Sequence, residues 1–212
     1  MDGDQVDLAK LTDIARKNNA WVYLDDAHGF GVLGNDGRGS LAEQQCVVDD
    51  VQLYMANFGK AMSSAGAFVA TSKNIADYLR QSCRHYIYST AISPVQALIT
   101  VINLVRMQKQ SWRRELLAER IELFQQLTAE YELPVMPSNT AIQPILLGSS
   151  ARAVAVSAHL KAHNFWVSAI RPPTVPVNKA RLRVSLSANH TAEQIENLVK
   201  AIRGAVDSYD FE

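Results

Sequence analysis

Leu24-Asp25-Asp26-Ala27-His28-Gly29 closes a short apolar run that begins at Trp21 and ends in two acidic residues and a histidine. The run has the length and composition of a buried strand. A helix is predicted before it, because apolar residues recur at helical spacing at Leu8, Leu11, Ile14 and Ala15. This order of helix and strand indicates an α/β fold.

The next elements of the chain fit the same fold. Apolar runs at residues 53–58 and 67–71 lie between polar or glycine-containing segments and are predicted to be further strands of one sheet. Ser93-Pro94 provides an N-cap and a first-turn proline for a long helix, whose apolar spacing continues to Phe124. The polar residues 108–114 predict a break in that helix, and we place a domain boundary there.

The rest of the chain has the pattern of a small α/β unit. Three strands are predicted, at residues 142–147, 165–170 and 181–186. A helix from about Ala151 lies between the first two strands, and Thr191 and Gln194 form the pattern of a capping box for a final helix. We therefore predict two domains, residues 1–107 and residues 108–212.

Composition and charge exclude several classes of protein. The 21 basic and 21 acidic residues give no net charge, so we expect no bulk field that would attract nucleic acid or an anionic membrane surface. No apolar run approaches the roughly 20 residues that a membrane helix needs. The acidic start of the chain, Met1-Asp2-Gly3-Asp4, lacks the basic and apolar regions of a secretory signal.

The cysteine and histidine residues show no spacing typical of a metal site, and none is expected. Cys46 and Cys83 are far apart and are predicted to be free thiols, which is usual in a reducing compartment. We therefore predict a cytoplasmic protein. The histidines outside the opening motif are interpreted as ordinary core or surface residues: His85, His159, His163 and His190.

A second chemical signal, Asn57-Phe58-Gly59-Lys60, follows the next predicted strand after Asp25. Because the carboxyl ends of parallel strands gather at one edge of a sheet, Asp25 and Lys60 are predicted to converge there. Pyridoxal phosphate needs a lysine amine for a Schiff base and an anion beside its pyridine nitrogen. Lys60 and Asp25 supply these two groups, and His28 could hydrogen-bond the phenolic oxygen of the ring.

Each of these signals also has an ordinary structural interpretation. A single Asp25 or Asp26 is commonly a turn or cap residue, and Gly-Lys is commonly part of a solvated loop. Residues 34–39, Gly-Asn-Asp-Gly-Arg-Gly, do not match a phosphate-binding loop, because no Lys-Ser or Lys-Thr pair follows. We predict a turn that lines the site. Ser63-Ser64-Ala65-Gly66 either allows close backbone approach or forms a tight connection between strands.

Taken together, the motifs resemble the α-oxoamine synthase family of fold-type I pyridoxal-phosphate enzymes over the whole chain. They follow the family order: Met1-Asp2-Gly3-Asp4, Asp25-Asp26-Ala27-His28-Gly29, Gly34 to Gly39, Phe58-Gly59-Lys60 and Tyr88-Ser89-Thr90. The resemblance implies an α/β architecture similar to that of aspartate aminotransferase. Residues 1–107 would then be the C-terminal part of the large cofactor-binding domain, and residues 108–212 the small C-terminal domain.

Two segments resemble one branch of this family. Ala141-Ile142-Gln143-Pro144 and residues 170–176 (Ile-Arg-Pro-Pro-Thr-Val-Pro) are similar to the members that condense L-alanine with a pimeloyl thioester in biotin biosynthesis. The resemblance implies a decarboxylative acyltransferase whose acyl donor is pimeloyl-coenzyme A or pimeloyl-acyl carrier protein. Two alternatives stay open: a sibling activity such as glycine C-acetyltransferase, and a catalytically incomplete fragment that acts only in dimerisation or folding.

The resemblance also implies roles for the residues that match the cofactor motifs. Lys60 would form the Schiff base and remove the substrate α-proton, Asp25 would pair with the pyridinium nitrogen, and His28 with the phenolic oxygen. Asn57 departs from the pattern, since this branch carries a threonine there that contacts the cofactor phosphate. Asparagine can still donate a hydrogen bond to that phosphate.

Four further residues receive implied roles in substrate binding and assembly. Arg171 would bind the carboxylate of the amino acid, and Thr174 would lie near the acyl donor. Ser89 and Thr90 would reach the cofactor phosphate of a partner subunit, which implies a homodimer with shared active sites. The ordinary interpretations are a surface arginine before a proline turn and a polar turn, respectively.

The length of the chain also departs from the family pattern. Family members are nearly twice as long, so we expect this chain to be a C-terminal portion that lacks the N-terminal half. The region before Met1 would supply a histidine that stacks on the cofactor ring, a glycine-containing phosphate loop and a serine.

Overall fold

The computed structural model describes residues 1–209, which form two compact units. The first unit is Val6–Arg114, and the second combines Met1–Gln5 with the chain from Glu115 onward. The boundary predicted from the sequence, between residues 107 and 108, falls before the end of the first unit. The assignment of the two parts to a large and a small domain stays a prediction.

The first unit is built around a three-stranded sheet. Its strands are β1 (Tyr23–Asp25), β2 (Leu53–Asn57) and β3 (Ala67–Thr71), and its helices are α1 (Leu8–Lys17), α2 (Ser40–Glu43), α3 (Lys73–Ser82), α4 (Arg84–Ile87) and α5 (Pro94–Lys109). β2 is the central strand, parallel to β1 and antiparallel to β3. Short 3-10 turns at Asn35–Gly37 and Val48–Asp50 lie between β1 and β2.

Local signals in the sequence explain where several of these elements begin and end. α1 begins after Asp7, whose carboxylate accepts a hydrogen bond from the backbone nitrogen of Lys10 at 3.0 Å. α5 begins at Pro94 and ends at Lys109, with Gln110 as its C-cap. The predicted first-turn proline and the predicted break in the polar segment are therefore both confirmed.

The second unit contains an antiparallel sheet covered by longer helices. Its elements are α6 (Ser111–Glu130), whose first residues belong to the first unit, β4 (Ile142–Gly148), α7 (Ser150–Ala162), β5 (Ser168–Ile170), β6 (Ala180–Ser185) and α8 (Ala192–Ser208). The strand order is β4-β6-β5. The predicted capping box is confirmed, because Thr191 and Gln194 exchange side-chain to backbone hydrogen bonds at the start of α8.

The first residues of the chain are bound to the rest of the second unit by polar contacts. The carbonyl oxygen of Gly3 accepts hydrogen bonds from the hydroxyls of Ser138 at 3.2 Å and Thr140 at 3.0 Å. Gly3 has a φ of +80°, and a Cβ atom there would collide with both hydroxyls, so a glycine is required. Asp2 accepts from the guanidinium of Arg181 at 2.7 Å.

Cys46 and Cys83 are free cysteines, as predicted. Among residues 1–209, none of the helices is long and apolar enough to cross a membrane.

Candidate active site

The candidate cofactor residues of the first unit lie at one edge of its sheet. Asp25 ends β1 and pairs with Met55 of the parallel strand β2, and Asn57 ends β2. His28 and Lys60 lie in the connections that follow these two strand ends. Parallel pairing thus brings the four residues to the carboxyl edge of adjacent strands, where α/β proteins commonly bind ligands.

The two acidic residues of the opening motif have different environments. The side chain of Asp25 is exposed, and its Oδ1 accepts a hydrogen bond from the backbone nitrogen of Ala27 at 3.0 Å. Asp25 therefore does act as a turn residue, but an ionised carboxylate has about four acceptor positions and can bind another donor. His28 is also exposed, in the turn that follows.

Asp26, in contrast, is 3% exposed and is the centre of a buried hydrogen-bond network. Its Oδ2 accepts from the backbone nitrogen of Ser40 at 2.8 Å and from the hydroxyl of Tyr54 at 2.7 Å, and its Oδ1 accepts from the hydroxyl of Ser40. Burial, together with the hydrogen bond to this carboxylate, raises the pKa of Tyr54 well above its usual value. Asp26 thus fixes the start of the turn that carries His28.

This network also fixes the glycine-rich segment from Gly34 to Gly39. Gly39 has a φ of +90°, and a Cβ atom at this position would collide with the carboxylate of Asp26. Gly34 donates its backbone N–H to Glu43 of α2 at 2.9 Å. The segment forms a turn, as predicted, directly before Ser40, which donates to Asp26. That this turn lines the site stays a prediction.

Lys60 lies in the connection between β2 and β3, and this connection is closed by its own backbone hydrogen bonds. Phe58 N–H donates to Gly66 O at 2.9 Å, Ser64 N–H to Phe58 O at 2.8 Å, and Ser63 N–H to Lys60 O at 2.9 Å. The lysine side chain is exposed. We call residues 58–66 the Lys60 turn.

Asn57 has a structural role beside the one implied for it. Its Oδ1 accepts a hydrogen bond from the backbone nitrogen of Gly59 at 3.2 Å, which shapes the start of the Lys60 turn. This use of the amide oxygen leaves the NH₂ group as the part of Asn57 that could donate to an anion.

The sequence interpretation missed three polar residues of α5 that contact the Lys60 turn. Gln96 donates to the hydroxyl of Ser64 at 2.6 Å, and Thr100 shares a hydrogen bond with the same hydroxyl at 2.5 Å. Asn103 donates to the carbonyl oxygen of Met62 at 2.8 Å. The detectable signal was the helical spacing of these residues, which place one polar stripe along α5.

Ser89 and Thr90 lie in an exposed segment between α4 and α5. The hydroxyl of Ser89 donates to the carbonyl oxygen of His85, one turn earlier. The segment is a polar turn in this structure, and contact with a partner subunit stays a prediction for both residues.

Arg171 and Thr174 belong to the second unit, where they share one turn directly after β5. Thr174 N–H donates to the carbonyl oxygen of Arg171 at 3.1 Å, and both side chains are exposed. The buried side chain of Val175 holds the end of this turn in the unit. Their roles toward a substrate stay a prediction.

A model of the aminotransferase class I and II family matches residues 1–202, which include all of these candidate residues. The chain belongs to this family.

Curated relatives that cover nearly all of the chain are named 8-amino-7-oxononanoate synthase. The relative from Hydrogenovibrio crunogenus is 46% identical over 209 residues, which are 99% of this chain and 53% of the relative. The relative from Ectopseudomonas mendocina is 48% identical over 202 residues, 95% of this chain and 52% of the relative. The predicted resemblance is confirmed, and the chain spans about half the length of these relatives.

Solved structures confirm the fold-type I α/β architecture. The 8-amino-7-oxononanoate synthase from Francisella tularensis matches with a TM-score of 0.82 and 30% identity, over 94% of this chain and 58% of that one. Serine palmitoyltransferase from Sphingomonas wittichii matches with a TM-score of 0.91 and 26% identity, over 99% and 53% of the respective chains.

Proposed function

We propose that this chain carries the cofactor lysine of a pyridoxal-phosphate-dependent acyltransferase. The reaction condenses L-alanine with a pimeloyl thioester of coenzyme A or acyl carrier protein and gives 8-amino-7-oxononanoate, carbon dioxide and the free thiol. It is a step of biotin biosynthesis. The observation that carries the proposal is the placement of Asp25 at the end of β1 and of Lys60 after the end of the adjacent parallel strand β2.

Similarity supports this choice of reaction among those of the family. Relatives at 43% and 46% identity that cover 95% and 99% of the chain have the name of this enzyme. We place the enzyme in the cytoplasm, in agreement with its free cysteines, Cys46 and Cys83.

The donor set of the first unit fits pyridoxal phosphate. The exposed amine of Lys60 can bond to an aldehyde, and the exposed carboxylate of Asp25 can accept a hydrogen bond from a protonated pyridine nitrogen. Gly59 leaves room before the lysine, because the nearest atom to a Cβ built there is 3.8 Å away. When bound, the cofactor supplies an electron sink that stabilises negative charge on the α-carbon of the amino acid.

The residues of the chain then bind the substrate and move its proton. Asp25 holds a proton on the pyridine nitrogen by its negative charge. The free amine of Lys60 removes the α-proton of alanine, and Arg171 binds the alanine carboxylate through two parallel N–H···O bonds. The α-carbon bonds to the thioester carbonyl carbon as the C–S bond breaks, and the leaving thiolate takes a proton from solvent. The carboxyl group then departs as carbon dioxide, and the α-carbon takes back a proton from the ammonium of Lys60.

The remaining site residues are proposed to orient the cofactor and the acyl donor. His28 hydrogen-bonds the phenolic oxygen of the ring, and the amide NH₂ of Asn57 donates to the phosphate. Ser89 and Thr90 donate to the phosphate bound in a partner subunit of a homodimer, and Thr174 contacts the acyl donor. Hydroxyl and amide groups are suitable for these roles because each can donate a hydrogen bond to an anionic oxygen.

Covalent trapping tests the assignment of Lys60. The chain is incubated with pyridoxal phosphate, reduced with borohydride and digested, and the modified peptide is identified by mass spectrometry. We expect the label on Lys60, loss of that label in Lys60→Ala, and full labelling in Lys73→Ala, which removes another exposed lysine of the same unit. A label of wild-type intensity in Lys60→Ala would contradict the proposal.

Turnover by the same chain tests the two alternatives. Release of free thiol from pimeloyl-coenzyme A is measured with alanine and, separately, with glycine. Faster release with alanine supports the proposed reaction, and faster release with glycine supports a sibling activity. Labelling of Lys60 without any release would support a catalytically incomplete fragment.

A further inference from the structure

The three polar contacts between α5 and the Lys60 turn lie next to the lysine and belong to one helix face. Gln96, Thr100 and Asn103 are spaced so that they follow each other along α5, and each bonds to residues 62–64. The two ends of the turn are fixed by the paired strands β2 and β3. α5 is therefore the support for the middle of the turn.

The hydrogen bonds around Ser64 form a chain with one direction. The hydroxyl of Thr100 donates to the carbonyl oxygen of Gln96 at 2.9 Å, so its oxygen accepts from the hydroxyl of Ser64. The hydroxyl of Ser64 in turn accepts from the amide of Gln96. Each hydroxyl thus donates once and accepts at least once, and each one orients the next.

The turn contains a backbone conformation that needs such support. Ser63 has a φ of +46°, in the left-handed region that side-chain-bearing residues rarely adopt. Its two neighbours, Met62 and Ser64, are the residues that α5 binds through a carbonyl oxygen and a hydroxyl. The Met62 side chain is also buried, which fixes the same point of the turn.

A close approach between Gly31 and Ala61 restricts the turn further. Gly31 has a φ of +84°, and a Cβ atom there would lie 2.8 Å from the Cβ of Ala61 and 3.3 Å from the sulfur of Met107 of α5. The residue after Lys60 therefore packs closely on a glycine that follows the Asp25 motif. Movement of the turn away from α5 would change where the backbone of Lys60 lies relative to the end of β1.

We propose that Gln96, Thr100 and Asn103 are positioning residues that hold the Lys60 turn in the conformation that presents the lysine amine to its cofactor. The proposal rests on the proposed role of Lys60. It assigns the three side chains a function that acts through the turn, without contact to the cofactor.

Two measurements on the full chain test this proposal. The first is hydrogen exchange, without cofactor, at the three hydrogen-bonded amides of the turn, those of Phe58, Ser63 and Ser64. The second is the rate of borohydride-trapped labelling of Lys60 by pyridoxal phosphate. Thermal unfolding followed by circular dichroism confirms that each variant is folded.

The variants separate the hydrogen bonds from the volume of the side chains. Thr100→Val removes a hydroxyl at nearly constant shape, Asn103→Ala removes the bond to Met62, and Thr100→Ser keeps the hydroxyl. Gln108→Ala is the matched control for Gln96→Ala, because it removes an exposed glutamine of the same helix. We expect about fivefold faster exchange and about fivefold slower labelling in Gln96→Ala, Thr100→Val and Asn103→Ala, the effect of a typical hydrogen bond.

Thr100→Ser and Gln108→Ala are expected to keep wild-type values in both measurements. Wild-type exchange and labelling in Thr100→Val and Asn103→Ala would overturn the proposal. Faster exchange with unchanged labelling would also overturn it, since the contacts would then stabilise the turn without positioning the lysine. If the wild-type chain is not labelled at Lys60, the proposed function fails, and the positioning role fails with it even where exchange becomes faster.

Discussion

The helix α5 of the first unit is held in place by different means from the helices and the sheet of the second unit. In the second unit, large apolar side chains of the helices and the sheet are completely buried: Phe124, Ile145, Leu160, Leu182 and Ile202. In the first unit, α5 lies wholly within the described residues and contains no buried residue. Its apolar residues, such as Leu98, are largely exposed.

Beside the apolar core of the first unit, polar contacts hold the turns on which the candidate site residues lie. The buried carboxylate of Asp26 binds Ser40 and Tyr54, and Gln96, Thr100 and Asn103 bind the Lys60 turn. Apolar burial is non-directional, whereas a satisfied hydrogen-bond network specifies one arrangement. We infer that these directed bonds hold the turns after β1 and β2 in one arrangement, which the proposed roles of Asp25 and Lys60 require.

Matched leucine substitutions give the largest expected difference between the units. Leu160 of α7 is 0% exposed, so Leu160→Ala should lower the free energy of unfolding by about 2–5 kcal/mol through lost burial and a cavity. Leu98 of α5 is 60% exposed, and Leu98→Ala should change it by at most about 0.5 kcal/mol. Urea unfolding followed by circular dichroism measures both, and equal losses would contradict the contrast.

A buried pair of charged side chains is an exception to the apolar core of the second unit and gives the next prediction. The side chain of Arg181 is 6% exposed and pairs with Asp2. Asp2→Asn should lower the free energy of unfolding by about 2 kcal/mol, because a buried guanidinium loses its counter-charge. Asp207→Asn removes the partner of Arg203 on an exposed surface and should have a smaller effect in the same urea titration. A larger effect at Asp207 would show that the start of the chain contributes little to this unit.

The fold could be predicted from the sequence where the signals are local. β3 was predicted at residues 67–71 and α5 from Pro94, and both begin there, because glycine-containing turns and a first-turn proline mark them. α3 (Lys73–Ser82) was not predicted, although Ile75, Tyr78 and Leu79 lie at helical spacing and would have indicated it. The antiparallel direction of β3 depends on its pairing with β2, which short segments do not encode.

The site was predictable as far as strand geometry determines it. Asp25 and Lys60 were placed at one edge of the sheet because parallel strands end together, and their strands do so. The separate role of Asp26 was missed, although alternation along the strand puts it on the same face as the buried Leu24. Periodicity on α5 was considered only for apolar residues, so its polar stripe was also missed.

Tyr54→Phe gives the smallest expected effect and tests the directed bonds of the first unit. The substitution keeps the ring and removes the hydroxyl that donates to Asp26. We expect the free energy of unfolding to fall by about 1–2 kcal/mol near neutral pH, because a buried carboxylate loses one of its donors. Tyr78→Phe in α3 is the control, since Tyr78 is 70% exposed and should show almost no change.

The pH dependence of this difference gives a sharper test of the same bond. Burial and the hydrogen bond to Asp26 raise the pKa of Tyr54 above 10, its usual value. Above about pH 10 the unfolded chain loses the tyrosine proton while the folded chain keeps it, so the free energy of unfolding falls as pH rises. The contribution of Tyr54 is therefore complete below about pH 10 and is lost progressively above it. The urea midpoints of wild type and Tyr54→Phe should differ at about pH 8, and this difference should become smaller at about pH 11. A difference that is the same at both pH values would mean that the hydroxyl does not bind the carboxylate of Asp26 in solution.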